Sequence, residues 1–111
     1  MAEGTKYGLL ESDINQIVMV MQQNLKITKV VLFGSRAKGT WHAWSDVDLA
    51  LFGDDLVLND ILELTIEIET LNLPYKSDLA IFKRIKETAL IEHINRVGVK
   101  LFERKTIRRL S

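Results

Sequence analysis

Two aspartates at alternate positions, Asp46 and Asp48, are the strongest chemical signal in this 111-residue chain. The two aspartates alternate with Val47 and Leu49 and the run stays apolar to residue 52, so residues 46–52 predict a strand. Side chains two residues apart on a strand share a face and lie roughly 6.5–7 Å apart along it. Carboxylates placed in this way repel each other unless a cation lies between them, and hard divalent cations prefer oxygen ligands. The pair therefore predicts a divalent-metal site; the alternative is a turn-capping Asp46 and a solvated Asp48.

A glycine and a serine form the second chemical feature. Gly34-Ser35 follow a nearly continuous β-branched run over residues 27–33, which predicts a buried strand, and they precede a short helix or turn over residues 35–40. Backbone N–H groups at such a strand-to-helix junction favour a phosphate, and glycine allows its close approach. Arg36 and Lys38 add positive charge beside it. The turn is a candidate phosphate site, the alternative being an ordinary turn.

A third carboxylate, Asp78, begins a predicted strand over residues 77–82. Alternation places Asp78 on the same face as Ala80, with Leu79 and Ile81 on the other. If this strand neighbours the earlier one, three carboxylates meet beside a candidate phosphate turn. Such an arrangement suits phosphoryl or nucleotidyl transfer with two metal ions. The alternative for Asp78 alone is capping at the start of the strand.

The remaining pattern indicates the elements that position these groups. Residues 99–102 predict a final short strand. Three helices are predicted from the spacing of apolar residues, which are Ile14, Ile17, Val18, Met21 and Leu25 in the first, Val57, Ile61, Leu64, Ile68 and Leu71 in the second, and Ala89, Leu90, Ile91, Ile94 and Val97 in the third. Residues 65–69 also alternate, so a strand competes there with the favoured helix. The order αβαβαβα(β) predicts a single α/β (α+β) domain over residues 1–111, a small mixed sheet flanked by helices. Its core spans about residues 10–104, and a basic tail follows at 105–111.

Composition excludes several classes of protein. An apolar fraction of 47% rules out a disordered chain, and the absence of cysteine rules out a disulfide framework or a thiolate zinc site. Fifteen Lys and Arg balance fifteen Asp and Glu, so general binding of polyanions is not expected. The charge is unevenly placed: residues 46–78 hold nine acids and one base, and residues 79–111 hold nine bases and three acids. Within the acidic segment, Asp54, Asp55, Asp60 and the helix glutamates are expected to be solvated. No membrane span or leader is apparent, and a cytoplasmic location is expected.

The motifs together resemble a known family. Leu32-Phe33-Gly34-Ser35, ten intervening residues, then Asp46-Val47-Asp48 and a later acid in Ser77-Asp78-Leu79 are similar to the DNA polymerase β-like nucleotidyltransferase superfamily. The segment of residues 90–104 is similar to the end of its short minimal nucleotidyltransferase (MNT) members. The resemblance covers about residues 10–104 and implies the polymerase β-like nucleotidyltransferase fold.

This resemblance implies a mechanism and a partner. Gly34 and Ser35 would hold the triphosphate of ATP, with Arg36 and Lys38 steadying its charge. Asp46, Asp48 and Asp78 would be the catalytic, Mg²⁺-binding set. MNT proteins of this size resemble antitoxins that transfer AMP to a tyrosine of a helical HEPN ribonuclease toxin. Larger members carry a second lobe that holds the acceptor, so a hetero-oligomeric HEPN partner is expected to supply it.

Two other functions remain open on the sequence. One is nucleotidyl transfer to a small hydroxylated acceptor, as in aminoglycoside nucleotidyltransferases, with a partner subunit. The other is a non-catalytic module that binds and blocks a toxin, although such a module has no need of three converging carboxylates.

Five residues and the basic tail have no assigned chemistry. His42 and His93 are expected at the surface and Tyr75 in loop packing, Trp41 and Trp44 either cover the core edge or stack on a base or partner, and the tail is expected to be solvated.

Overall fold

The computed structural model describes residues 4–105 and consists of a four-stranded mixed sheet with helices on both faces. This arrangement confirms the predicted α/β fold class. The elements, in chain order, are β1 (Thr5–Lys6), β2 (Leu9–Leu10), α1 (Glu11–Gln22), β3 (Lys29–Phe33), α2 (Gly34–Lys38), β4 (Val47–Phe52), α3 (Leu58–Thr70), β5 (Ser77–Ile81), a 3₁₀ turn (Phe82–Arg84), α4 (Thr88–Val97) and β6 (Val99–Glu103).

The strand order β5-β4-β3-β6 brings the chemical motifs to one end of the sheet. Strand β3 is antiparallel to both β4 and β6, whereas β4 and β5 are parallel. In this register Asp48 pairs with Phe33 on one side and with Asp78 on the other. The end of β3, the start of β4 and the start of β5 therefore meet, and Gly34 follows directly after Phe33.

Two cores form because the strands bury both of their faces. The larger core packs β4 residues Val47, Leu49 and Leu51 against helices α1 and α3. The smaller core joins Val31, Ala50 and the α4 residue Ile94. Since side chains alternate along a strand, Asp48 lies on the α4 side with Ala50, opposite Val47 and Leu49. The site and helix α3 are thus on opposite faces of the sheet.

Helix α3 resolves the helix-or-strand ambiguity of residues 65–69 in favour of the helix. It also corrects one expectation, because Asp60 is only 6% exposed instead of solvated. Its Oδ2 accepts from the Val57 N–H and from Lys26 Nζ, both at 2.9 Å, and its Oδ1 accepts from Asn24 Nδ2 at 3.2 Å. These bonds hold the pKa of Asp60 below its usual value, the Val57 N–H contributing most. Asp60 closes the first turn of α3 and ties it to the loop after α1.

The two ends of the described chain compare differently with expectation. The sequence pattern did not predict the β1–β2 hairpin, which pairs Thr5 with Leu10. Arg104 is part of the fold: its guanidinium donates to Gln22 O at 3.0 Å and to Ile27 O at 3.2 Å. Arg108 and Arg109 of the basic tail lie outside the described residues. Within residues 4–105, no helix has the length and hydropathy needed to cross a membrane.

Candidate active site

The three predicted carboxylates lie at one end of the sheet. Asp46 directly precedes β4, Asp48 is the second residue of that strand, and Asp78 is the second residue of β5. The parallel ladder pairs Asp48 with Asp78, and neighbouring strands lie about 4.8 Å apart. Asp46 and Asp78 are exposed, while Asp48 is half-buried between them. The structure therefore brings together the three acids that the sequence singled out.

The surroundings of Asp48 disfavour its ionised form. Burial, then the nearby charge of Asp78 and then that of Asp46 raise the pKa of Asp48 to about 6. Each cause disfavours the ionised carboxylate. A divalent cation would reverse this penalty, because it favours the charged form of every carboxylate around it. The site is thus one that a cation would stabilise.

The donor set fits a magnesium ion held jointly with a nucleotide. No three His, Cys, Asp or Glu side chains within residues 4–105 are placed to hold a metal ion by themselves. Mg²⁺ is usually bound through one or two carboxylates together with substrate phosphates and waters, not by a complete protein cage. The paired carboxylates Asp46 and Asp48 meet that requirement, with Asp78 adjacent.

The Gly34-Ser35 turn adjoins the carboxylates directly. Gly34 has a φ of +75°, a left-handed conformation that side chains with a Cβ rarely adopt. A Cβ at this position would lie 2.2 Å from Asp48 Oδ2. Both backbone conformation and space therefore require glycine, and the Asp48 carboxylate lies against the turn. The structure places the candidate phosphate turn and the candidate metal ligands in contact.

His93 reaches the same turn from helix α4, contrary to its expected surface position. Its Nε2 accepts a hydrogen bond from the Gly34 N–H at 3.0 Å, and its ring packs edge-on against Phe33. Because Nε2 is the acceptor, the neutral ring carries its proton on Nδ1. A signal for this was present in the sequence: residues 90, 93, 94 and 97 have the spacing of one helix face. His93 fixes the Gly34 peptide and occupies its N–H group.

The remaining predicted phosphate contacts divide into two groups. Ser35 is half-buried at the start of α2, and Lys38 is exposed near the end of this short helix. Arg36 is only 1% exposed, and its guanidinium donates to the Ser45 and Tyr7 carbonyl oxygens. Its side chain points into the protein interior, so the structure does not bring it to the phosphate turn with Ser35 and Lys38.

The aromatic residues of the loop before Asp46 also differ from each other. Trp41 lies beside the Arg36 guanidinium, with its ring 5.8 Å from Arg36 Cζ. Trp44 is 86% exposed and packs loosely against His42, their ring centroids 6.4 Å apart. Trp41 therefore packs beside the buried Arg36 guanidinium and keeps 43% of its surface exposed. Trp44 remains free to meet a nucleotide base or another protein.

The structure has a Gly-Ser turn against the Asp48 carboxylate, with Asp46 and Asp78 at the same end of a small mixed sheet, which is the arrangement that the motif resemblance implied for a nucleotidyltransferase site. Residues 15–107 match the family model described as polymerase beta, nucleotidyltransferase. The chain belongs to this family, and the resemblance inferred from its motifs is confirmed. No curated protein matches the chain.

Solved structures show the same fold. A toxin–antitoxin crystal structure with AMP-PNP aligns at 26% identity with a TM-score of 0.68, covering 83% of this chain and 74% of that chain. The MntA–HepT toxin–antitoxin structure aligns at 22% identity with a TM-score of 0.63, covering 85% and 73%. A Shewanella oneidensis structure contains a tri-AMPylated HEPN toxin in complex with an MNT antitoxin; it aligns at 22% identity with a TM-score of 0.65, covering 85% and 72%.

Proposed function

We propose that this protein is a Mg²⁺-dependent adenylyltransferase that transfers AMP from ATP to a tyrosine of a HEPN ribonuclease toxin, and neutralises the toxin by doing so. The observation that carries the proposal is the contact between the Gly34 turn and Asp48, flanked by Asp46 and Asp78. Two similar structures support the choice of nucleotide and acceptor, since one was solved with AMP-PNP and the other contains an AMPylated HEPN toxin.

The nucleotide is held at the turn by a small set of groups. Since the Gly34 N–H is bonded to His93, the Ser35 N–H and hydroxyl are the donors for the triphosphate. Lys38 adds an exposed positive charge near the end of α2. Asp46 and Asp48 would hold a Mg²⁺ ion, which would neutralise phosphate charge and so favour the departure of pyrophosphate. The resemblance to nucleotidyltransferases supports these roles, and the positions of the residues agree with them.

The transfer step uses Asp78 and the position of the acceptor. The tyrosine oxygen attacks the α-phosphorus of ATP, the bond from that phosphorus to the bridging oxygen breaks, and pyrophosphate leaves. Asp78, exposed at the sheet end, takes the proton of the tyrosine hydroxyl. Most of the catalysis comes from positioning and from neutralising charge. The described residues form one lobe, and the toxin supplies both the acceptor and the opposite wall of the cleft.

An intact-mass experiment tests the proposal. The protein, ATP and Mg²⁺ are incubated with the product of the neighbouring gene, and the mass of that product is measured. We expect an increase of one or more AMP units that disappears in the Asp46→Ala/Asp48→Ala variant. The matched control is Asp54→Ala/Asp55→Ala, which removes two exposed acids at the other end of β4 and preserves transfer. A stable complex without any mass increase would instead support a non-catalytic binding module.

A further inference from the structure

Arg36 is a buried charge without an acidic partner. It is 1% exposed, and within residues 4–105 no carboxylate forms an ion pair with it. Burying an unpaired ion costs several kcal/mol after relaxation, so a fold that retains one has to satisfy it in another way. The way in which Arg36 is satisfied indicates what it does.

Three hydrogen bonds and two aromatic rings enclose the guanidinium. Nε and Nη2 both donate to the Ser45 carbonyl oxygen, at 3.1 and 2.8 Å, and Nη1 donates to the Tyr7 carbonyl oxygen at 3.0 Å. The rings of Tyr75 and Trp41 lie 5.2 and 5.8 Å from Arg36 Cζ. This planar, forked group is the part of arginine that lysine cannot reproduce.

The N-terminal hairpin closes over the same group. Gly8 lies between β1 and β2 with a φ of +74°. A Cβ at Gly8 would lie 2.7 Å both from Arg36 Nη1 and from Trp41 Cε3. The hairpin backbone therefore approaches Arg36 so closely that no side chain fits between them. This gives the β1–β2 hairpin a structural role, since it seals the guanidinium from water.

The segments held by Arg36 lead directly to the carboxylates. Ser45 immediately precedes Asp46, and Tyr75 is three residues before Asp78. Ser45 is itself fixed, because its Oγ accepts from the His42 N–H at 2.9 Å and its N–H donates to the His42 carbonyl at 2.9 Å. Between the two strands, the Val47 N–H donates to the Lys76 carbonyl oxygen at 2.8 Å.

We propose that Arg36 is the positioning residue of the active site. Arg36 lies in the first turn of α2. It holds the loop that leads to Asp46 and the loop that leads to Asp78, and so sets the separation of these two carboxylates. It touches neither the nucleotide nor the metal. This assignment rests on the proposed function, because it concerns the geometry of the same nucleotide and metal site.

The test compares two proteins that both carry Trp44→Phe, so that Trp41 is their remaining tryptophan. One of them also carries Arg36→Lys, and the other keeps Arg36. Affinity for Mn²⁺ is measured by electron paramagnetic resonance with saturating α,β-methylene-ATP, and transfer is measured by initial rates. Outer-shell residues that orient ligands affect metal affinity by 10–100-fold, so we expect Mn²⁺ affinity and kcat each to fall at least tenfold. We also expect acrylamide to quench the fluorescence of Trp41 more strongly in the Arg36→Lys protein. Arg84→Lys, at an exposed arginine, is the matched control and changes neither quantity.

A second variant covers a loss of folding. If circular dichroism shows Arg36→Lys to be unfolded, the second variant is Tyr75→Leu, for which we expect about a threefold loss of Mn²⁺ affinity. This variant removes one ring beside Arg36 and keeps the three hydrogen bonds of the guanidinium, and it also removes the Tyr75 hydroxyl that accepts from the Leu10 N–H at 3.5 Å. Folded variants that bind Mn²⁺ and turn over as the wild type does, despite a lower Tm, would overturn the positioning role alone. A wild-type protein that neither binds Mn²⁺ with the analogue nor transfers AMP would overturn the proposed function, and the positioning role with it.

Discussion

Replacing Asp48 with asparagine should stabilise the metal-free protein while abolishing transfer. Burial, Asp78 and Asp46 together raise the pKa of Asp48 from 3.8 to about 6, so the folded state opposes its negative charge. One pKa unit corresponds to 1.36 kcal/mol. Because the carboxylate is partly exposed, solvent screens much of this cost, and we expect a net gain of about 1 kcal/mol on neutralisation. For a domain of this size that gain raises Tm by about 4–8 °C.

The pH dependence of the gain follows from linkage. A carboxyl whose pKa is higher in the folded state binds its proton more tightly there, so wild-type stability falls as the pH rises from about 4 to about 6. The penalty is complete above pH 6 and absent below pH 4, where the carboxyl is neutral in both states. Asparagine is neutral throughout. The advantage of Asp48→Asn is therefore largest near pH 7.5 and disappears near pH 4.

Thermal melts in EDTA at pH 7.5 and pH 4 measure this difference. Asp54→Asn is the control, because Asp54 is an exposed acid at the far end of β4 and its loss should change stability by less than about 0.5 kcal/mol. Asp48→Asn should also lose AMP transfer to the partner. The reasoning is refuted if Asp48→Asn melts no higher than the wild type at pH 7.5, or if its advantage is the same at both pH values.

Three further predictions concern Gly34, His93 and Asp60. Gly34→Ala should lower the free energy of unfolding by about 1–2 kcal/mol, because alanine disfavours the left-handed φ of this position. The added Cβ should also displace Asp48, so we expect initial transfer rates to fall at least tenfold. Gly39→Ala is its control, since Gly39 has a φ of +90° with open space around it, and equal losses of rate in both variants would contradict the role of the close approach. His93→Ala should raise KM for ATP about tenfold, because it removes the acceptor of the Gly34 N–H. His93→Gln keeps an acceptor and should have a KM much closer to that of the wild type. An equally high KM in both variants would count against the role of this hydrogen bond. Asp60→Asn should lower Tm at pH 7 by about 4–8 °C, for about 1 kcal/mol of lost hydrogen bonding. The lowered pKa of Asp60 means that this difference shrinks as the pH falls through the folded-state pKa, and a constant difference would contradict it.

The sequence predicted the parts of this site that depend on local alternation. Val47, Leu49 and Leu51 are fully buried, and the alternation of these apolar residues along β4 is sufficient to assign Asp48 to the opposite face of the strand. The same argument placed Asp78, since Leu79 and Ile81 pack into the larger core. Strand pairing then converts two local patterns into one cluster of carboxylates.

What the sequence could not predict depends on contacts between distant segments. His93 and Gly34 are 59 residues apart, and their hydrogen bond exists because α4 packs over β3. Arg36 carries the charge expected of a phosphate contact, yet its carbonyl partners include one from a hairpin too short to show a periodic pattern. Asp60 looked like one of many acids on an acidic helix. Charge and residue type indicate possible chemistry, but the packing of distant segments decides whether a polar side chain lies in solvent or hydrogen-bonds to the backbone.

The place of β6 at the end of the described chain has a consequence for the protein during its synthesis. The ribosome makes the carboxylates and the phosphate turn before it makes β6, which pairs with β3. Until β6 is made, one edge of β3 has no strand partner, and an unpaired strand edge favours wrong pairing with other chains. Strand β6 therefore protects an edge of the strand that leads into the phosphate turn.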